Sequence, residues 1–275
     1  MDCFKIGIIS IEKHSGVSFL TTVLAAYFAE QKKFVPAVLE LGTPSLYYSL
    51  GIEKYFLGRG FTSVFEEESK QEDTKEIQNL HKGINWALQT PSDYQREYNF
   101  INKFRLIHNV YGDLLLCDFS GCKIGMTREG GNSGNQGVVC DENWQLLREM
   151  DCIFLVIDPL PSKLLSGAEQ LAHYRLSRLP IRIVINKDNS GVPHKELQNY
   201  LQTKDLICIP YLQPEWLYEA EYKCLEPYAV DEVKHALKEP IGELESVLGA
   251  NRFKNSLFRQ DEIHRNIPGF KWNPF

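Results

Sequence analysis

Short apolar segments alternate with longer amphipathic segments along most of this chain. Seven of the apolar segments have the length and the flanking turn residues that are typical of buried β-strands. In chain order they are Phe4–Ile9, Val35–Leu41, Gly83–Leu88, Leu114–Cys117, Cys152–Ile157, Ile181–Ile185 and Leu206–Ile209. Because these segments are apolar at nearly every position, they predict a sheet that is buried on both faces.

The segments between these strands favour helices. Phe19–Gln31 is rich in helix-forming residues and apolar nearly all round, and further helices are predicted around Leu164–Arg178 and His194–Gln202. Strands alternating with helices indicate a parallel sheet with right-handed crossovers. The pattern therefore predicts an α/β fold, in a single three-layer domain with a mostly parallel central sheet and helices on both faces. There is no internal repeat.

Three segments depart from this alternation. Glu66–Ile77 is a run of charged residues, which is typical of a solvated helix or loop at an edge. Ile124–Gly137 contains five glycines and predicts a mobile loop, directly after the strand that ends at Asp118. Arg252–Phe275 mixes charges with aromatic residues and lacks a long amphipathic period. We therefore expect a domain over residues 1–245 and a C-terminal tail over 246–275 that packs on the domain or binds a partner.

Composition narrows the choice of function. The chain has 275 residues, a net charge of −6 and a pI of about 5.7, a balance that disfavours a nucleic-acid partner. The seven cysteines include no Cys-x-x-Cys pair, so we interpret them as thiols of a reducing compartment and expect no metal site. The N-terminus lacks a secretory pattern, and no apolar run reaches the length of a membrane span. We expect a cytoplasmic protein.

The first strand, the following turn and the first helix have the layout of a phosphate-binding unit. Glycine in such a turn lets the backbone direct its N–H groups at phosphate, and the helix N-terminus adds a partial positive charge. The turn and the helix start carry the sequence His14-Ser15-Gly16-Val17-Ser18-Phe19-Leu20-Thr21.

This loop resembles that of the MinD/ParA family of P-loop ATPases (SIMIBI class), which reads approximately K-G-G-V-G-K-[ST]-T. Gly16, Val17 and Thr21 match the pattern. The positions that differ are His14, Ser15, Ser18, Phe19 and Leu20. The resemblance covers about residues 3–235 and implies a nucleotide-dependent protein that dimerises.

The departures from the family pattern remove the groups that carry the chemistry. By the resemblance, Phe19 stands where a lysine holds the β- and γ-phosphates, and Leu20 stands where a hydroxyl binds Mg²⁺. A leucine offers no oxygen to this cation. No lysine or arginine lies between Lys13 and Lys32, although a shifted register would make Thr21 or Thr22 the metal ligand. We therefore expect weakened binding of ATP or ADP, and no Mg²⁺ site.

The remaining candidate residues lie at the ends of later strands. Among carboxylates, Glu40 matches the first residue of an acidic pair in the family, and Asp118 matches its Walker B aspartate; neither completes a catalytic set. Asn186 and Pro210 match the positions that hold adenine. The residues that we expect to contact nucleotide are Ser15, Gly16, Val17, Ser18, Thr21, Thr22, Asn186 and Pro210.

Several functions agree with these features. We expect an adaptor or positioning factor that does not hydrolyse ATP efficiently, pairs with itself or with an active relative, and serves pilus or secretion machinery at a membrane, as the TadZ/CpaE-like group does. The alternative is a slow ATP-dependent switch in positioning or partitioning. A capsule-regulating tyrosine kinase is disfavoured because no tyrosine follows Tyr228. DNA partitioning is disfavoured by the acidic balance.

Overall fold

The computed structural model describes residues 3–55, 83–89, 100–110, 112–122, 124, 126–128, 138–140, 142–177 and 179–249. Within these ranges the strands are β1 (Phe4–Ser10), β2 (Pro36–Glu40), β3 (Asn85–Ala87), β4 (Leu114–Asp118), β5 (Met126–Arg128), β6 (Val138–Cys140), β7 (Cys152–Ile157), β8 (Ile181–Asp188) and β9 (Leu206–Pro210). The charged run Glu66–Ile77 and the tail Arg252–Phe275 lie outside the described residues.

The helices lie between these strands and after them. They are α1 (Val17–Gln31), α2 (Leu46–Ser49), α3 (Ile52–Tyr55), α4 (Phe100–Asn109), α5 (Glu142–Leu147), α6 (Pro161–Ser166), α7 (Ala168–Leu176), α8 (His194–Leu201), α9 (Pro214–Tyr222), α10 (Asp231–Ala236) and α11 (238–249), with a 3₁₀ turn at Pro227–Ala229. Helix α11 continues past residue 245, so the proposed boundary between domain and tail remains a prediction.

The main sheet has seven strands in the order β3-β2-β4-β1-β7-β8-β9, and every described pair in it is parallel. The predicted α/β class and its buried sheet are thereby confirmed. The chain extends from β1 first to one side of the sheet and later to the other. In an open parallel sheet, the crevice at such a reversal, beyond the carboxyl ends of the strands, is where ligands bind.

Two apolar layers cover the sheet. One face packs against α1 and the C-terminal helices, with Phe28, Val233 and Leu244 in its core. The other face packs against α5, α7 and α8, with Trp144 and Leu197 in its core. All five residues are almost completely buried, which explains why the central strands are apolar on both faces.

Two predicted elements differ from those observed. The helix expected around Leu164–Arg178 is divided into α6 and α7 at Gly167, where an added Cβ would lie 2.7 Å from Ile11 Cδ1. Of the segment Ile124–Gly137, predicted to be a loop, the structure describes residues 124 and 126–128, and the latter three form strand β5, which pairs antiparallel with β6; the rest lies outside the described residues. Hydrophobic periodicity alone therefore missed a helix break set by a tertiary contact and a three-residue strand.

Candidate functional site

The turn between β1 and α1 has the backbone shape of a phosphate loop. Gly16 has a φ of +99°, in the left-handed region that favours glycine, and α1 begins at the next residue. The first helical hydrogen bond joins Leu20 N–H to Gly16 O at 3.0 Å. The N–H groups of Val17, Ser18 and Phe19 therefore have no carbonyl one turn earlier, and they form the positive end of α1.

Two side chains of strand β8 donate hydrogen bonds to the backbone of this loop. Asn186 Nδ2 donates to Ser15 O at 2.8 Å, and Lys187 Nζ donates to His14 O at 2.8 Å. Lys187 Nζ also contacts Asp158 Oδ2 at 3.1 Å. Two consecutive side chains of β8 thus donate hydrogen bonds to two consecutive carbonyl oxygens of the loop. These bonds hold the loop backbone in its observed conformation.

A larger residue at position 16 would have to displace the Asn186 side chain and would be strained at this positive φ. A Cβ at this position would lie 2.0 Å from Asn186 Nδ2, far inside the van der Waals distance. The positive φ and the close approach of Asn186 therefore both favour glycine at position 16.

The first turn of α1 carries neither the lysine nor the metal-binding hydroxyl of the resemblance. Phe19 is half-buried, lines the cleft above the loop and packs against the core. Leu20 is fully buried. Thr21 Oγ1 donates to Val17 O at 3.0 Å and Thr22 Oγ1 to Phe19 O at 2.9 Å, so both hydroxyls are bonded within the helix.

A cleft of about 470 Å³ lies above the loop at the carboxyl edge of the sheet. Six of its twelve lining residues carry a hydroxyl group, and two others, Lys13 and His14, are exposed basic residues. The lining residues are Ser10, Lys13, His14, Ser15, Gly16, Val17, Ser18, Phe19, Thr43, Ser45, Ser120 and Gly121. Apolar atoms form much of the wall, and the main-chain N–H groups at the start of α1 are its fixed positive end.

The floor of the cleft is formed where the segments after β2 and β4 meet. Thr43 N–H donates to Ser120 O at 2.7 Å, and Gly42 N–H donates to Asp118 O at 3.0 Å. An added Cβ at Gly42 would lie 2.0 Å from Ser120 O. This close approach accounts for glycine at the position where the resemblance places a second acidic residue.

Glu40 is fully buried and fully hydrogen-bonded. Its Oε1 accepts the N–H groups of Ser45 and Leu46 at 2.8 and 2.9 Å, and its Oε2 accepts Gln89 N–H at 3.0 Å. Burial outweighs these hydrogen bonds and raises the pKa of Glu40 to about 8. This carboxyl group connects β2 to the start of α2 and to the end of β3.

Asp118 is also fully buried, but only one of its two carboxyl oxygens accepts a hydrogen bond from a described residue. Its Oδ1 accepts Ser120 N–H at 2.7 Å, whereas Oδ2 has no hydrogen-bond partner among the described residues. Burial raises the pKa of Asp118, and the Ser120 N–H and the nearby side chains of Ser18 and Ser120 oppose that rise. Ser18 Oγ in turn lies 3.2 Å from Ser45 Oγ. Asp118 therefore keeps an acceptor oxygen close to the Ser18 side chain.

The structure brings most of the predicted contact residues together. Ser15, Gly16, Val17 and Ser18 line the cleft, whereas Thr21 and Thr22 lie inside α1. Asn186 contacts the loop through its amide nitrogen. Pro210 pairs with Asp188 across β8 and β9, at the same edge of the sheet but outside the cleft lining.

Sequence reasoning missed Lys187 and the hydroxyls of Thr43, Ser45 and Ser120. The only sequence signal for Lys187 is its position directly after Asn186, at the end of a buried strand. Its positive φ of 62° accompanies an irregular register between Ile185 and Asp188. That irregularity is set by strand pairing, which the sequence pattern does not reveal.

Comparisons with known proteins agree with this geometry. No family model and no curated protein sequence matches the chain at a significant level. Solved structures do match. The septum site-determining protein MinD from Pyrococcus horikoshii, in complex with Mg-ADP, has a TM-score of 0.64 and 14% identity, over 91% of this chain and 99% of that chain. This chain has a MinD/ParA-like P-loop fold.

Two further structures have the same fold. A ParA family ATPase from Chlorobium tepidum has a TM-score of 0.59 and 13% identity, over 86% of this chain and 98% of that chain. A putative plasmid partition protein from Borrelia burgdorferi, bound to AMPPNP, has a TM-score of 0.55 and 16% identity, over 86% of this chain and 99% of that chain. At these identities the likeness establishes the MinD/ParA-like fold alone.

The described part of the chain was also tested for membrane-spanning helices. None of its helices has both the length and the apolar character that crossing a membrane requires.

Proposed function

We propose that this chain is a MinD/ParA-like positioning or adaptor protein that binds nucleotide weakly and does not hydrolyse it. The observation that carries the proposal is the first turn of α1. A phosphate loop with its left-handed glycine is retained there, but Phe19 lines the cleft and Leu20 is fully buried.

Phosphoryl transfer needs positive charge and a metal at the phosphates. The main-chain N–H groups of Val17, Ser18 and Phe19 fit a phosphate group. A fully buried leucine at the hydroxyl position does not fit Mg²⁺, which takes oxygen ligands. The loop is therefore suited to holding a phosphate group without activating it.

The fold supports the choice of partner. One structural match is a MinC:MinD cell division complex from Aquifex aeolicus, which shares 12% identity with this chain at a TM-score of 0.61. We infer a protein partner, either a second copy of this chain or an active relative, and peripheral association with a membrane machine such as pilus or secretion apparatus. A net charge of −6 disfavours nucleic acid.

Isothermal titration with ATP and ADP, with and without Mg²⁺, tests the proposal alongside an assay of phosphate release. We expect weak binding that Mg²⁺ does not strengthen, and no release above background. Gly16→Ala removes the loop geometry and abolishes binding. Gly242→Ala is the matched control, because an added Cβ there meets nothing within 4 Å. Tight, Mg²⁺-dependent binding by the wild type contradicts the proposal.

A slow ATP-dependent switch is the second candidate, and one observation favours it. Asp118 Oδ2 has no hydrogen-bond partner among the described residues, the Ser18 side chain lies close enough to act on the Asp118 carboxyl group, and Ser18 Oγ lies 3.2 Å from Ser45 Oγ. Together these groups offer a hard cation the oxygens that Leu20 lacks. For a switch, Asp118→Asn and Ser18→Ala weaken nucleotide binding only when Mg²⁺ is present. For a non-hydrolysing adaptor, neither variant changes the effect of Mg²⁺.

A further inference from the structure

A second cluster of chemically active side chains lies at the carboxyl edge of β8 and β9. It consists of Asp188, His194 and Cys208, whose ligand atoms all lie within 4.8 Å of one another. His194 Nε2 and Asp188 Oδ2 are 2.7 Å apart. Asp188 and His194 are six positions apart, on the connection between β8 and α8, whereas Cys208 comes from the next strand, β9. We call these three residues the β8–β9 cluster.

The backbone around the cluster is well supported by hydrogen bonds. Asp188 ends β8, and its carbonyl accepts Tyr211 N–H at 2.7 Å. Its Oδ1 accepts Ser190 N–H at 3.1 Å, which turns the chain towards α8. His194 is the first residue of that helix, and Cys208 lies within β9. The three side chains therefore originate from elements that the sheet edge holds in place.

The ligand atoms have the chemistry of a transition-metal site. A thiolate, an imidazole and a carboxylate together suit Zn²⁺, whereas Mg²⁺ and Ca²⁺ take oxygen ligands only. His194 is about half exposed, so water has access to a fourth position.

We propose that Asp188, His194 and Cys208 bind a zinc ion, with water completing the tetrahedron. The metal would connect the ends of β8 and β9 to the start of α8, next to the segment that begins at Pro210. This site is separate from the phosphate loop, so the proposal does not depend on nucleotide binding.

Zinc binding to the full chain is measured by competition with a chromophoric chelator, and cobalt substitution reports the ligand type. We expect one tightly bound zinc per chain and a sulfur-to-cobalt charge-transfer band. Cys208→Ser removes the band, and Cys208→Ser, His194→Ala and Asp188→Asn each lower the affinity by about 100-fold or more. Cys3→Ser and His235→Ala are matched controls outside the cluster, and both retain the wild-type affinity.

Thermal unfolding, with and without zinc, provides a second measurement in case a variant folds poorly. Zinc raises the melting temperature of the wild type, because it binds the native state, and of the two control variants. It leaves the melting temperature of Asp188→Asn, which preserves the size of the side chain, nearly unchanged. The proposal is overturned if the wild type takes up no zinc, or if Cys208→Ser keeps the cobalt charge-transfer band.

Discussion

Two buried carboxyl groups, Glu40 and Asp118, occupy paired positions on the neighbouring strands β2 and β4. Both side chains are fully buried, and burial raises the pKa of both. Their hydrogen bonds differ. Glu40 accepts three backbone N–H groups, whereas Asp118 accepts one and leaves Oδ2 unpartnered within the described chain.

The difference separates a structural carboxyl group from one that is available to a ligand. A buried acceptor with all its partners stabilises the segments that it connects. A buried acceptor without partners costs stability, and such a cost persists where the group serves a site. By this criterion Glu40 holds the cleft floor together, whereas Asp118, which lies behind the cleft lining, keeps an acceptor oxygen without a partner in the described chain.

The largest effect is expected from Glu40→Ala. This change leaves the N–H groups of Ser45, Leu46 and Gln89 unpaired and opens a cavity beside β2. Each unpaired buried donor costs about 1–3 kcal/mol, so we expect a loss of about 3–5 kcal/mol in unfolding free energy, measured in guanidinium chloride. A loss below about 1 kcal/mol would show that water replaces the carboxyl group at little cost.

The next largest effect on the unfolding free energy is expected from a change in pH. Because the pKa of Glu40 is raised from 4.5 to about 8 on folding, its protonated form is favoured in the folded state. Its contribution is complete below pH 4.5 and is lost as the pH rises to about 8. Within the measurable window from pH 5 to pH 8 we expect a loss of about 3–4 kcal/mol.

Denaturation at several pH values measures the effect of Glu40 protonation. Glu40→Gln serves as the reference because its side chain does not titrate, so the difference between the two proteins isolates this group. Wild-type stability that rises from pH 5 to pH 8 relative to Glu40→Gln would reverse the sign and refute the assignment.

A smaller effect is expected from Asp118→Asn. The asparagine Oδ1 still accepts Ser120 N–H, and the change removes a buried charge that lacks a full set of partners. We expect the unfolding free energy to change by less than about 1 kcal/mol, or to rise. If this variant loses as much stability as Glu40→Ala, the contrast between the two carboxyl groups is wrong.

Phe19→Lys is expected to leave the turnover of ATP unchanged. Phe19 is half-buried, so the unfolding free energy changes by about 1 kcal/mol. The new ammonium group reaches the cleft above Asp118, but Leu20 still denies Mg²⁺ its hydroxyl ligand. Phosphate release from ATP therefore stays at background. Substantial Mg²⁺-dependent turnover in this single variant would show that the register of the loop was assigned wrongly.

The sequence predicted the sheet well because its strands are buried on both faces. Runs such as Leu114–Cys117 and Cys152–Ile157 are apolar at every position. They show neither the 3.6-residue period of an amphipathic helix nor the alternation of apolar and polar residues in a half-exposed strand. Short helices escaped prediction because four-residue elements such as Leu46–Ser49 and Ile52–Tyr55 are too brief for a periodic pattern. The break at Gly167 depends on Ile11, which lies far away in the sequence.

Only those parts of the candidate site that lie within one short segment of the sequence could be predicted from it. The left-handed Gly16 and the helix start after it follow from one short segment. The role of Glu40 depends on Gln89, and the β8–β9 cluster depends on Asp188 meeting Cys208 across two strands. Asn186 was placed at the correct edge of the sheet, but its contact with Ser15 O joins residues 171 positions apart. Such pairings become visible only after the topology is known.

The two hydrogen bonds from β8 to the phosphate loop have a consequence for folding. Ser15 and His14 are synthesised early, yet the side chains that fix them, Asn186 and Lys187, follow more than 170 residues later. Contacts of such long sequence separation close slowly, because a large loop must be ordered first. We therefore expect the loop to take up this backbone conformation only when β8 joins the sheet, so a chain cut before β8 would lack it.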